Sequence, residues 1–306
     1  MRKKGDNMAV LETKNLVKNF GKVKALDNLN LSVNEGEVFG FIGPNGAGKT
    51  TAIRVLLGIL QANSGSASVF GLDAWKNAVE IHKRIAYVPG DVNLWSNLTG
   101  GEVIDLFVKL RGTNNFSKRE KLIKMFDFDP SKKCRTYSKG NRQKVALIAA
   151  FSSDAELYIL DEPTSGLDPL MEQVFQECVT EQKKANKTIF LSSHILSEVE
   201  RLCGRVGIIR QGQLIETGTL GQLRHLTRIN IKIETKKEIN DLEKIKGVQN
   251  IHKNNNIINF QVDNDDLSDV ISYISSFGVL KLESNPLALE DLFMKHYNGK
   301  EDVINV

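Results

Sequence analysis

The chain has 306 residues, 25% of them charged and 41% hydrophobic, and carries a net charge of +4. That is the make-up of an ordinary globular protein with one large domain, or one large and one small, at roughly 100–200 residues per domain. So mild a positive surplus gives no ground for nucleic-acid binding. Cys134, Cys178 and Cys203 stand far apart without Cys-x-x-Cys spacing, which argues against a disulfide framework or a zinc site and fits a reducing compartment. Arg2-Lys3-Lys4 runs into Gly5-Asp6-Asn7 instead of an apolar stretch, a poor signal peptide. The longest apolar run, Val145 to Phe151, is far short of the ~20 residues of a membrane helix. The expectation is a soluble protein that needs a spanning partner if it acts at a membrane.

Residues 8–225 read as one α/β unit. Leu29, Leu31 and Val33 recur at period two between turn residues, as in a half-exposed antiparallel sheet. Val38 to Ile42 is a short apolar run of buried-strand type, and Thr51 to Leu57 begins a helical pattern. Between them lies Gly43-Pro44-Asn45-Gly46-Ala47-Gly48-Lys49-Thr50, which fits G-x-x-x-x-G-K-[ST], the phosphate-binding loop. Glycines let successive N–H groups turn inward on phosphate oxygens. Lys49 is expected on the β- and γ-phosphates, Thr50 on Mg²⁺, and the helix N-terminus behind both.

The stretch from about residue 92 to residue 150 has helical apolar spacing, as in Glu102 to Phe107 and Lys121 to Phe126, and reads as a helical insertion. Tyr137-Ser138-Lys139-Gly140-Asn141 opens the last of these helices. A serine and a glycine there make either a second anion site or an ordinary helix cap. Leu157 to Leu160 and Thr188 to Leu191 are continuously apolar, like parallel strands buried on both faces. The first ends in Asp161-Glu162: Asp161 is placed to hold a Mg²⁺ shell and Glu162 to polarise an attacking water. Ser165-Gly166-Leu167-Asp168 follows. His194 follows the second strand, at the edge where ligands bind in open sheets, though a lone histidine there is more often structural than functional.

Composition shifts after Arg228, and residues 228–306 read as a separate accessory domain. Ile229, Ile231 and Ile233 alternate as a strand, Ile239, Leu242 and Ile245 form a helical stripe, and Val248 to His252 and Ile257 to Val262 are strands. Leu267, Val270, Ile271 and Ile274 make a second helix, Val279 to Leu282 a last strand, and Leu289 to Met294 a terminal helix. The order β-α-β-β-α-β is ferredoxin-like. His252 and His296 are isolated from other candidate ligands along the sequence.

In order and together, these elements resemble the nucleotide-binding subunits of ATP-binding cassette (ABC) transporters, over about residues 8–225. The resemblance implies an α/β phosphate-loop NTPase core with an antiparallel β subdomain and a helical signature subdomain, followed here by the small α+β domain. It implies an aromatic residue stacking on adenine at Phe20, a Walker A loop from Gly43 to Thr50 with Thr51 beside it, and a signature loop at Tyr137 to Asn141. It places the Walker B aspartate at Asp161, the catalytic glutamate at Glu162, a D-loop at Ser165 to Asp168 and a switch histidine at His194. ATP and Mg²⁺ are the implied cofactors. The implied partners are a second copy, head to tail, with Ser138 and Gly140 closing on its ATP, and an integral membrane permease; no nucleic acid is expected. The place implied is the cytoplasmic face of the cell membrane.

Two departures from the family pattern matter. Tyr87-Val88-Pro89 is followed by Gly90-Asp91 where the family has a glutamine. Asp91 either replaces it, as a hard oxygen ligand for Mg²⁺, or is a surface turn residue. The signature carries Lys139 at its third position; this and the Gly-acid segment resemble ABC-2-type exporters of antibiotics, polyketides or lipids. A non-transport ATPase of the family and an importer subunit are the alternatives. One cassette instead of two, and no sustained heptads between the Walker motifs, weigh against the first; the signature variant weighs against the second.

Overall fold

The computed structural model describes residues 9–110, 116–225, 229–254, 257–263 and 266–286. The chain divides into two compact units, one ending at Thr217 and the other starting at Gly218. The first begins with β1 (Ala9–Phe20), β2 (Val23–Asn34) and β3 (Val38–Ile42), then α1 (Lys49–Leu56), β4 (Ser64–Val69), β5 (Leu72–Asp73), α2 (Ala78–His82) and β6 (Ile85–Val88). The helices α3 (Gly100–Leu110), α4 (Phe116–Met125) and α5 (Lys139–Ser152) follow. Then come β7 (Leu157–Asp161), α6 (Pro169–Lys184), β8 (Thr188–Ser193), α7 (Leu196–Leu202), β9 (Arg205–Arg210) and β10 (Gln213–Thr219), whose last two residues fall past the division.

Two sheets share the core of this unit. One is antiparallel, in the order β2-β1-β4-β5. Its period-two pattern is a real face: Leu29, Leu31 and Val33 are buried while Asn28 and Asn30 are exposed. The other runs β10-β9-β3-β8-β7-β6, with β9, β3, β8, β7 and β6 parallel. Every residue of β3, β7 and β8 is buried, which is why these strands read as continuous apolar runs. The Phe190 ring packs on Phe39 at 5.9 Å and on Phe41 at 5.3 Å between centroids. Each fully buried Leu, Ile or Phe contributes about 1.5–3 kcal/mol, so the strands form a stiff platform. Because they are parallel, Ile42, Asp161 and Ser193 all end at the same edge. The helices α3, α4 and α5 pack as a group. Tyr137, packed on Phe128 at 5.2 Å and donating to Asp129 O at 2.7 Å, pins the chain just before Ser138.

The second unit opens with α8 (Leu220–His225), followed by β11 (Ile229–Thr235), β12 (Val248–Asn254), β13 (Ile257–Val262), α9 (Leu267–Ser275) and β14 (Val279–Pro286). Its antiparallel sheet has the order β12-β13-β11-β14, and its strands and α9 follow the ferredoxin-like pattern. Ile231, Ile233, Phe260 and Val262 are buried against Val270 and Ile274 of α9. The expected first helix is corrected: only Leu242–Lys244 winds, as a single 3₁₀ turn. Asp241 sits at φ +63° immediately before it, a left-handed conformation that interrupts an α-helix. Ile239 and Leu242 nonetheless bury as an amphipathic stripe should. The terminal helix expected at Leu289 to Met294, and His296, lie outside the described residues; His252 is exposed on β12.

Candidate active site

The phosphate loop joins β3 to α1. Gly48 takes φ +111° as the N-cap of α1, and a Cβ there would stand 2.7 Å from Ala25 O; only glycine fits so tight a left-handed turn. Gly43 sits against Ile209 O. Pro44 O accepts from Ala47 N at 3.1 Å, and Ala47 O accepts from Gly212 N at 2.9 Å, so the buried Ala47 anchors the loop while Asn45 and Gly46 form its exposed tip. Lys49 is 6% exposed. Its Nζ donates to Gly43 O at 2.5 Å and to Pro44 O at 3.3 Å, and pairs with Glu162 Oε1 at 3.0 Å. Thr51, half-buried, follows on α1.

Asp161, 1% exposed, ends β7. Thr50 Oγ1 donates to its Oδ2 at 2.8 Å and Ser192 Oγ to its Oδ1 at 2.5 Å, so both oxygens are fixed. Glu162 turns off the strand at φ +48°, a conformation that costs a non-glycine residue roughly 1–2 kcal/mol. Its N–H donates to Ser192 O at 3.0 Å, which holds the turn. Its Oε2 is hydrogen-bonded to His194 Nδ1. The carboxylate of Glu162 thus lies between the Lys49 ammonium and the His194 ring. Gly90 lies beside this turn, where an added Cβ would be 3.3 Å from Asp161 O; Asp91, the next residue, is exposed. Tyr87, on β6, has its phenol pushed up to about 12, first by burial and then by the charge of Asp161.

The structure brings Lys49, Thr50, Asp161, Glu162 and His194 into one network. Other predicted residues lie outside it. Phe20 ends β1 on the antiparallel sheet, 48% exposed, with Lys18 Nζ 5.2 Å from its ring centre. Ser138 is exposed and caps α5, its Oγ accepting from Asn141 N at 3.3 Å. Gly140 packs on Gly166 O, which an added Cβ would approach to 2.4 Å. Asp168 caps α6, accepting from Met171 N at 3.0 Å.

Three structural supports were not among the predicted site residues. Ser192 pairs in register with Asp161; the signal was a serine ending an otherwise apolar strand. Gln143, 1% exposed on α5, donates from Nε2 to Pro163 O at 2.9 Å. Glu198, 5% exposed on α7, accepts from Ser193 Oγ at 2.8 Å. Burial raises the Glu198 carboxyl to about 7, opposed by the hydrogen bonds of Ser193 and Thr164. It falls three residues after Ile195 and four before Leu202, an acid on an apolar helical stripe.

Sequence and structure comparisons give the family and the fold. A family model described as "ABC transporter" matches residues 26–165, and one described as "ATP-binding protein DrrA1-3-like, C-terminal domain" matches residues 218–297. The chain is 32% identical to the bacitracin transport ATP-binding protein BcrA of Bacillus licheniformis, over 95% of this chain and 98% of that one. Among solved structures, an ATP-binding subunit of an ABC transporter superposes with a TM-score of 0.66 at 32% identity, covering 71% of this chain and 92% of that one. The fold is shared as well with the cassette MJ0796, described as a dimer in a post-hydrolysis state with ADP and phosphate (TM-score 0.63, 22% identity, 69% of this chain and 98% of that one). The chain therefore belongs to the ABC transporter family, as an ATP-binding subunit that hydrolyses ATP.

Proposed function

We propose that this chain energises an exporter by working in pairs, with Glu162 as the general base for ATP hydrolysis at sites shared between two copies. The observation that carries the reading is the bridged carboxylate: Glu162 Oε1 on Lys49 at 3.0 Å and Oε2 on His194. Phosphates entering the loop offer the Lys49 ammonium a stronger partner than the loop carbonyls and the Glu162 oxygen that it now holds. Lys49 turning to them frees Glu162 Oε1. That oxygen can then take a proton from a water whose oxygen attacks the γ-phosphorus as the bond to ADP breaks. His194 keeps the other carboxylate oxygen in place. The hydroxyl of Thr50 and the carboxylate of Asp161, 2.8 Å apart, are hard oxygen donors of the kind that magnesium takes. A magnesium ion held there would neutralise charge on the β- and γ-phosphates. Asp91, next to Gly90 at this edge, is proposed as a further contributor to its shell, Phe20 as the adenine stack and Asp168 as a D-loop contact across the dimer.

Pairing follows from what one copy leaves open. Ser138 and Gly140 stand at the start of a 14-residue helix whose first N–H groups and dipole favour an anion. ATP shared between the loop of one copy and this helix of another would close the dimer by mass action, and hydrolysis would open it. A groove lined by Tyr87, Pro89, Val92, Trp95, Phe107 and Val145 lies along the segment that leads to Gly90. It is proposed to seat the membrane permease, which would hold the pair at the cytoplasmic face of the membrane. Export is supported by the full-length likeness to the bacitracin transport protein.

Glu162→Gln is the test. The variant should still bind ATP, lose about 10²- to 10⁴-fold in turnover, and elute as a dimer only when ATP is present. Turnover at the wild-type rate would remove Glu162 as the base; a monomer in ATP would remove the shared site.

A further inference from the structure

Lys139 is in the wrong place for a helix. It is the first residue of α5, whose first turn holds no acidic side chain. A cation near a helix N-terminus is opposed by the dipole. The side chain, though exposed, has a fixed partner: Lys139 Nζ donates to Ser165 Oγ at 2.7 Å. Its stem lies flat across Gly166, where an added Cβ would meet Lys139 Cγ and Cδ at 3.3 Å. Gly166 itself is left-handed, at φ +83°. One residue on, Gly140 presses against Gly166 O, and a turn later Gln143 Nε2 holds Pro163 O at 2.9 Å.

The segment gripped in this way begins at the catalytic turn. Ser165 N donates to Glu162 O at 3.1 Å, and Leu167 N to Thr164 O at 3.0 Å. So the ammonium of Lys139 reaches the Glu162 backbone through one side chain and one backbone hydrogen bond.

We propose that Lys139 is a positioning residue: its bond to Ser165 clamps the loop bearing Ser138 to the turn bearing Glu162, so that contact with a second copy's nucleotide sets the geometry of this copy's base. The inference rests on the shared-site reading above. It assigns Lys139 to Ser165 within its own chain, and not to a phosphate of the other.

The test is a cycle of Lys139→Met, Ser165→Ala and the double variant, with Lys139→Arg as the conservative rescue, read as ATP turnover against ATP concentration. Lys139→Met keeps the stem and drops the charge. Each single variant should lose about three- to tenfold in kcat, the kinetic equivalent of one hydrogen bond, with KM and thermal midpoint nearly unchanged. The double variant should be no slower than the slower single, and Lys139→Arg should recover most of the rate. Independent losses that multiply in the double variant overturn the clamp. So does a loss in Lys139→Met with full turnover in Ser165→Ala, the pattern of a direct phosphate contact. The Glu162→Gln dimer is run beside them: if it forms in ATP while the cycle is multiplicative, the clamp alone has failed. If no ATP-dependent dimer forms, the shared site fails and the clamp's role falls with it.

Discussion

Two regions of the first unit are proposed to meet nucleotide, and they are built differently. At the carboxyl edge of the parallel sheet the functional side chains are already joined: Lys49 to Gly43 O and Glu162, Thr50 and Ser192 to Asp161, His194 to Glu162. Lys49 and Asp161 are buried there, so their charges act in a medium that screens them little. At the start of α5, Ser138 is exposed and spends its hydroxyl on its own helix. The first region is joined in advance, as the proposed catalytic edge. The second is proposed to become a site only when a second copy covers it, and the difference predicts that one copy supplies each half.

A mixing experiment breaks or keeps that comparison, and its effect is the largest expected. Lys49→Ala should lose nucleotide affinity and, with it, turnover. Ser138→Arg should keep nucleotide binding, measured with a fluorescent ATP analogue, yet lose turnover, because its bulk obstructs the covering half. Neither variant hydrolyses alone. In a head-to-tail pair of one with the other, both defects fall on the same site and the second site is intact. An equal mixture should therefore recover roughly a quarter of wild-type turnover, since half the pairs are mixed and each has one of two sites. No recovery, with both variants folded and pairing, would mean that the two regions do not form one site across copies.

Asp91→Ala sharpens the first region. Gly90 brings the chain against Asp161 and Glu162, whereas Asp91 is exposed one residue later. If Asp91 serves the magnesium shell, the variant should raise the Mg²⁺ concentration for half-maximal turnover by roughly ten- to a hundredfold, the effect of losing one charge-assisted contact. An unchanged Mg²⁺ dependence would leave Asp91 as a turn residue.

How much of this was legible follows from range of interaction. The phosphate loop could be read because its geometry is local: Gly48 needs its conformation within one turn, and Lys49 follows it. The strands could be read because burial on both faces writes an unbroken apolar run, as in Leu157 to Leu160. The bridge from Glu162 to Lys49 and His194 depends on the parallel register of β3, β7 and β8, which no local pattern states. The helix expected around Leu242 failed for a related reason. Its stripe was right about burial, but Asp241, at φ +63°, sets the backbone, and a stripe of three residues fits a 3₁₀ turn as well as an α-helix. Lys139 and Ser165 were visible as residues, yet their bond spans 26 positions.

Glu198 has the smallest expected effect on turnover and tests the packing behind the proposed catalytic edge. Its carboxyl is buried on α7, accepts from Ser193, next to His194, and has Glu172 and Glu162 as charged neighbours that raise it further. Its ordinary value of 4.5 rises to about 7 in the folded chain, chiefly through burial. The unfolded chain therefore gives up this proton first. The stabilisation is fully present below pH 4.5 and is lost as pH rises to about 7, by about 2–3 kcal/mol in all. Glu198→Gln keeps the shape and removes the titration. Comparing thermal midpoints of the two proteins across that window, the variant should gain on the wild type as pH rises. A difference that stays flat from pH 4.5 to 7 would show that Glu198 is ionised throughout. In that case the region behind His194 would be as polar as the edge in front of it.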